Sequence, residues 1–151
     1  MFSQRSTRVG IKHGGVEVDR EIPVLPLAAQ PYLEAGGQAG RLARYANNCR
    51  VLVEGMRALG FRTLLPDAMQ APIIVTFHMP ADPRFQFQRF YDGLKDRGYV
   101  IYPGKLTVAD SFRIGCIGRL DEGHMRGALA AVAEMLAEMG VASGAPALAA
   151  A

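Results

Sequence analysis

Pro72-Ile73-Ile74-Val75-Thr76-Phe77 is the stretch on which the fold turns. Its β-branched and aromatic residues suit a pleated strand, and the near-continuous apolar character predicts a strand at least partly buried on both faces. Pro80 and Pro83 end the run. Upstream, Phe61 to Leu65 reads as a second strand, turned by Pro66 and Asp67. Downstream, a helix fits Phe85 to Arg97, with Phe87, Phe90, Tyr91 and Leu94 as its apolar stripe. Gly98 closes that helix, Tyr99 to Tyr102 forms a short strand, and Pro103-Gly104 is a turn dipeptide.

Further out the pattern becomes helical on both sides. From Gln38 to Leu59, residues Leu42, Tyr45, Cys49, Leu52, Val53, Met56 and Leu59 recur at spacings of three and four, which places them on one face. Gly60 is a natural stop, because glycine tolerates the left-handed position at a helix C-terminus. On the far side Phe112 to Ile117 reads as a strand, with Gly115 and Gly118 allowing close backbone approach. Asp121 can cap a last helix whose buried stripe is Met125, Leu129, Val132, Met135, Leu136 and Met139. Strands arriving in adjacent pairs between helices predict an α+β domain over residues 35–140, with a small mixed or antiparallel sheet and helices packed on one face. The opposite sheet face needs a cover, either solvent or another domain.

The flanks read differently. In residues 1–34, Val9 and Ile11 alternate with polar neighbours, Gly14-Gly15 follows, and Val16 and Val18 alternate again. This is either a short hairpin or a poorly ordered leader. Residues 141–151, rich in Ala and Gly, read as a frayed, disordered tail.

At 151 residues the chain holds one domain with a real core and hardly two. A net charge of +3 slightly favours anionic small molecules, yet no basic run interleaves with aromatics, which excludes a nucleic-acid footprint. Cys49 and Cys116 lack a CxxC partner, so neither a zinc site nor a redox motif is expected, and a reduced cytoplasmic protein is the simple reading. No apolar run is long enough to span a bilayer, and Met1 to Arg5 is polar, without a signal-peptide core.

Few residues carry chemistry. The sequence holds no nucleophile elbow, P-loop, dinucleotide fingerprint or HExxH. His13, His78 and His124 lie in separate segments and supply no metal-ligand set. His78 follows an apolar strand, where it either faces a cleft or is a satisfied structural histidine. His124 fits surface chemistry in the first turn of a helix beside Asp121 and Glu122. Asp92 and Asp96, flanked by Lys95 and Arg97, read as a solvated helix face rather than paired catalytic acids. Ser111-Phe112-Arg113-Ile114-Gly115-Cys116-Ile117-Gly118 is more informative. An arginine among apolar strand residues costs desolvation unless an anion meets it, and its planar fork suits a bidentate carboxylate. Arg113 is therefore either a ligand arginine or paired with a structural carboxylate.

Phe112-Arg113-Ile114-Gly115 followed by Ile117-Gly118 resembles the RIGxxG pattern of class V, fold-type I pyridoxal-phosphate aminotransferases. Pro72 to Phe77 followed by Phe87 to Lys95, and Gly98 to Lys105, narrow the resemblance to 2-aminoethylphosphonate–pyruvate transaminases. Arg44-Tyr45 and Leu52 to Phe61 also match, so the resemblance covers residues 35–139 in preserved order. It implies the C-terminal small domain of an enzyme that moves an amino group from 2-aminoethylphosphonate to pyruvate, giving phosphonoacetaldehyde and alanine. It also implies pyridoxal phosphate as cofactor, held by a lysine as a Schiff base, a partnering large domain, and a homodimer with active sites near its interface. By resemblance Arg113 binds the anionic substrate.

The resemblance also marks what is absent. The family's lysine, the acidic partner of its cofactor nitrogen and its phosphate cradle lie in the large domain. Lys12, Lys95 and Lys105 lack that context. The chain alone is thus expected to offer no catalytic, cofactor-binding or metal-binding residue, to bind no cofactor covalently and to be inactive. Two alternatives stand beside this. One is a free-standing, non-enzymatic α+β module that binds a partner or small anion on its open sheet face. The other is the small domain of an alanine–glyoxylate-type aminotransferase, against which Ile101 to Gly104 and Phe90-Tyr91 argue by resemblance.

Overall fold

The computed structural model describes residues 36–104 and 110–147, together with the backbone of 9–13 and 16–20. Val9–His13 (β1) and Val16–Arg20 (β2) pair antiparallel, from Val9 opposite Arg20 to His13 opposite Val16. The pair belongs to the compact unit of residues 1–41, and the rest of the expected leader, residues 1–8, 14–15 and 21–34, lies outside the described residues.

The second unit is the α+β domain. Its elements are α1 (Gly37–Ala58, of which the first turn lies in the other unit), β3 (Ile74–His78), α2 (Phe87–Asp96), β4 (Tyr102–Pro103), β5 (Ser111–Gly115) and α3 (Glu122–Glu138). The sheet is antiparallel, with β5 in the middle between β3 and β4. Val75 pairs with Ile114 and Phe77 with Phe112, and all four side chains are buried. Side chains alternate along a strand, so this set defines one face of the sheet. The three helices pack there. Phe90 of α2 meets the Phe112 ring edge-on at 5.6 Å. Helix α3 approaches both others, because a Cβ on Gly55 of α1 would strike Leu129 and one on Gly93 of α2 would strike Met135.

Four fully buried phenylalanines form the centre: Phe61, Phe77, Phe90 and Phe112. Phe77 stacks on Phe112 at 5.7 Å, and Phe61 stands edge-on to Phe112 at the same distance. Offset and edge-to-face pairs of this kind add about 0.5–1.5 kcal/mol each beyond area burial. Gly60 makes Phe61's position possible. It takes φ +93° after α1, and the Phe61 N–H returns to the Met56 carbonyl. That left-handed closure is where glycine is favoured.

Several boundaries differ from expectation. Phe61 to Leu65 is not a full strand. Only Thr63 bridges to Phe77, supported by Leu64 N–H to Thr76 O and His78 N–H to Arg62 O, before Pro66 turns the chain away. The expected strand at Tyr99–Tyr102 moves to Tyr102–Pro103, because the Tyr99 N–H is used in closing α2 on Leu94 O. The strand expected through Ile117 ends at Gly115, although the Cys116 N–H still reaches Ile73 O.

The tail is the larger correction. It does not fray at Gly140. Val141 is buried, Gly144 N–H donates to Leu59 O, and Ala81 N–H donates to Ala145 O. A Cβ on Gly144 would lie 2.4 Å from the Phe61 ring. Composition suggested disorder, but small residues here permit close approach to the core. Residues 148–151, the rest of that expected tail, lie outside the described residues.

Asn48 was not singled out by sequence. It is fully buried on α1 and its Nδ2 donates to the carbonyls of Cys116 (3.2 Å) and Leu120 (2.9 Å). It therefore ties the first helix to the chain leaving β5. Asn48→Ala strands two carbonyls and opens a void, and we expect a loss of about 2–4 kcal/mol in denaturant unfolding. An unchanged midpoint would show that the tie contributes nothing. Gly144→Ala should cost about 1–3 kcal/mol through overpacking against Phe61. Gly115→Ala, with nothing within 4 Å of the added carbon, should stay within about 0.5 kcal/mol. Equal midpoints for the two variants would contradict the docked tail.

Candidate functional site

The site follows from the pleat of β5. Phe112 and Ile114 point into the core, so Arg113 between them emerges on the face away from the helices. Arg113 is half-buried and lies opposite Thr76 of β3 on one side and Tyr102 of β4 on the other. Among the described residues no carboxylate pairs with it. The structural-carboxylate alternative thus finds no partner among them.

One row away on the same face, Ile74 lies opposite Gly115. In the other direction His78 lies opposite Ser111. His78 is half-buried at the end of β3 and belongs to the same open face as Arg113, two residues from Thr76. The Ser111 hydroxyl is buried under Gly104, whose N–H donates to Ser111 O at 2.7 Å.

An apolar cleft of about 490 Å³ adjoins this face, with Ile73, Ile74, Val100, Tyr102, Gly115 and Ile117 on its walls and His124 also lining it. Ile73, Val100 and Tyr102 are each at least half exposed. Leu94 of α2, Ile114 of β5 and Met125, Ala128 and Val132 of α3 also line it, so the cleft opens between the sheet and the helices, and Arg113 is not among its lining residues.

The remaining candidates do not gather there. His124 and Asp121 form a capping box at the start of α3, with His124 N–H donating to Asp121 Oδ1 at 3.1 Å. The His124 side chain holds the Asp121 carboxyl below the usual carboxylate range. Asp92 accepts a hydrogen bond from Gln88 and is exposed, as is Asp96 on the same helix. Arg97, read as part of a solvated face, instead links α2 to α3 through Glu134 and Glu138. The side chain of His13 lies outside the described residues.

Cys49 and Cys116 are both buried and free. Burial pushes Cys116 up to about 12 and raises Cys49 as well. High thiol pKa values mark inert structural cysteines rather than nucleophiles. No cluster of three or more His, Cys, Asp or Glu side chains suited to a metal exists among the described residues. Nor is any helix among them long and apolar enough to cross a membrane.

A coenzyme bound through a lysine does not fit the described residues. Lys95 is the lysine whose side chain is described. It is exposed on α2, across the sheet from Arg113. The side chains of Lys12 and Lys105 lie outside the described residues.

Comparison with known proteins bears on the sequence and the fold. The chain is 57% identical over 114 residues to a 2-aminoethylphosphonate–pyruvate transaminase of Cupriavidus taiwanensis, a match covering 76% of this chain and 30% of that protein. It is 58% identical over 119 residues to one of Rhizobium meliloti, covering 79% and 31%. The chain thus spans about a third of the length of the curated relatives it matches. Among solved structures it superposes on a ureidoglycine–glyoxylate aminotransferase of Bacillus subtilis with a TM-score of 0.67 at 21% identity, covering 76% of this chain and 30% of that one. A pyridoxamine–pyruvate aminotransferase of Mesorhizobium loti gives 0.65 at 21%, covering 78% and 31%. At that identity these structures establish a shared fold. No family profile matches the chain. By sequence, the chain belongs to the 2-aminoethylphosphonate–pyruvate transaminase family, of whose members it corresponds to about 30% of the length.

Proposed function

We propose that this chain is the C-terminal small domain of a 2-aminoethylphosphonate–pyruvate aminotransferase, and that Arg113 grips the anionic end of its substrates. The observation that carries the reading is a half-buried guanidinium on an open sheet face, with no carboxylate partner among the described residues. Leaving such a group unpaired costs desolvation energy that a bound anion returns. Phosphonate and carboxylate both offer the paired oxygens that the guanidinium fork matches. One arginine therefore serves the amino donor and the keto acceptor in turn.

Bound in the complete enzyme, pyridoxal phosphate is the electron sink that transamination needs. The described residues supply no amine for it beside Arg113, so its anchoring is assigned to the large domain. The small domain's part is to bind and orient the substrate's charged end and to present an apolar wall beside it. Orientation of this sort is a large share of enzymatic rate enhancement. It cannot substitute for the missing electron sink, so these residues by themselves do not transaminate. The partners that the resemblance implies, a large domain and a second subunit, belong to this proposal.

Two measurements test it. Mixed with the separately produced remainder of the Cupriavidus relative, the chain should restore alanine formation from pyruvate and 2-aminoethylphosphonate. Arg113→Leu should lower kcat/KM about 10- to 100-fold, as expected for loss of a charged hydrogen-bonded contact. Silence from a folded mixture, or full activity of the variant, rejects the reading. Incubated with pyridoxal phosphate, reduced with borohydride and dialysed, the chain alone should gain no site-specific cofactor mass. A stoichiometric adduct at one lysine would show that it anchors the cofactor itself.

A further inference from the structure

Arg113 is one member of a row that crosses all three strands. Thr76, Arg113 and Tyr102 are direct cross-strand partners. Residues paired in this way share a face, with Cβ atoms about 4.5–5.5 Å apart. The row therefore sets two hydroxyl groups on either side of one guanidinium. Neither the Thr76 hydroxyl nor the Tyr102 phenol has a hydrogen-bond partner among the described residues, and Arg113 has none either. Next to the row, Gly115 leaves open space, with no atom within 4 Å of a built Cβ. Three polar side chains without partners among the described residues thus stand side by side on one face of the sheet.

We infer that Thr76 and Tyr102 complete a grip selective for a tetrahedral phosphonate over a planar carboxylate. This rests on the reading of Arg113 as the anion ligand, and adds the basis of discrimination. A carboxylate has two oxygens, and the guanidinium fork satisfies both in one plane. A phosphonate carries a third oxygen outside that plane, and more negative charge near neutral pH, as a phosphate ester does. The flanking hydroxyls supply donors out of the plane of the fork. A hydroxyl donates one hydrogen and rotates to suit, so Thr76 and Tyr102 can serve the third oxygen without obstructing a carboxylate. The small domain would then hold its two substrates unequally at one arginine. The amino donor would be favoured by its third oxygen, and the keto acid held by the fork alone.

The test uses the ¹⁵N-labelled chain, titrated with methylphosphonate and, separately, with acetate, following the Arg113 side-chain and neighbouring amide signals. Tyr102 is 57% exposed, so Tyr102→Phe should leave the fold intact, and Thr76→Val conserves shape. Combined, they should weaken methylphosphonate about tenfold while acetate changes less than about twofold. Thr76→Ser, which keeps the hydroxyl, should retain the Thr76 share of the preference. If the combined variant loses nothing, or loses both anions equally, while Arg113→Leu abolishes both, the hydroxyl grip is wrong and the role of Arg113 stands. If neither anion perturbs Arg113 in the folded chain, both readings fall together.

Discussion

Everything in the domain hangs on a two-residue period. Phe112 and Ile114 are drawn out of water into the aromatic centre, and the pleat then leaves Arg113 no choice of side. The hydrophobic effect thus aims a cation it never touches. Sliding β5 by one residue would push the guanidinium into the phenylalanine cluster and two large apolar side chains into solvent. The register of the central strand is therefore the same fact as the orientation of the site.

The ends of β5 are held by other means. At one end Asn48 ties the chain back to α1 through two carbonyls, and Arg44 adds a bond to Gly118 O at 2.8 Å. At the other, Ser111 packs under Gly104, where any larger residue would collide. Helix packing, polar ties and a tight loop contact each constrain the strand separately. A ligand arginine needs that rigidity, since a guanidinium free to wander loses the entropy advantage of a preset fork.

Much of this was legible in the residues. The helical periodicity from Gln38 to Leu59, the glycine stops and the Asp121 cap all mark local physics, and local physics survives folding. Arg113 stood out because an arginine in an apolar strand has a cost that must be met somewhere. What escaped the reading was set by tertiary contact. Asn48 looked like any polar residue within a helix. The Ala- and Gly-rich stretch after Gly140 looked disordered until Phe61 supplied a surface for Gly144. Phe61 to Leu65 had a strand's composition but only one bridging partner. The row formed with Thr76 and Tyr102 required the pairing of β3 and β4 with β5, and no spacing along the chain encodes that pairing.

The aromatic inventory divides in a useful way. The sequence contains no tryptophan, and the fully buried rings at the centre are all phenylalanines. Tyr102, by contrast, sits out on the sheet edge beside the arginine. Tyr91 and Tyr99 pack against that core, so tyrosine absorption reports on both regions. The fine vibronic bands of phenylalanine in near-ultraviolet dichroism follow the buried cluster, and the part of the tyrosine signal that belongs to the surface row is the part lost on Tyr102→Phe.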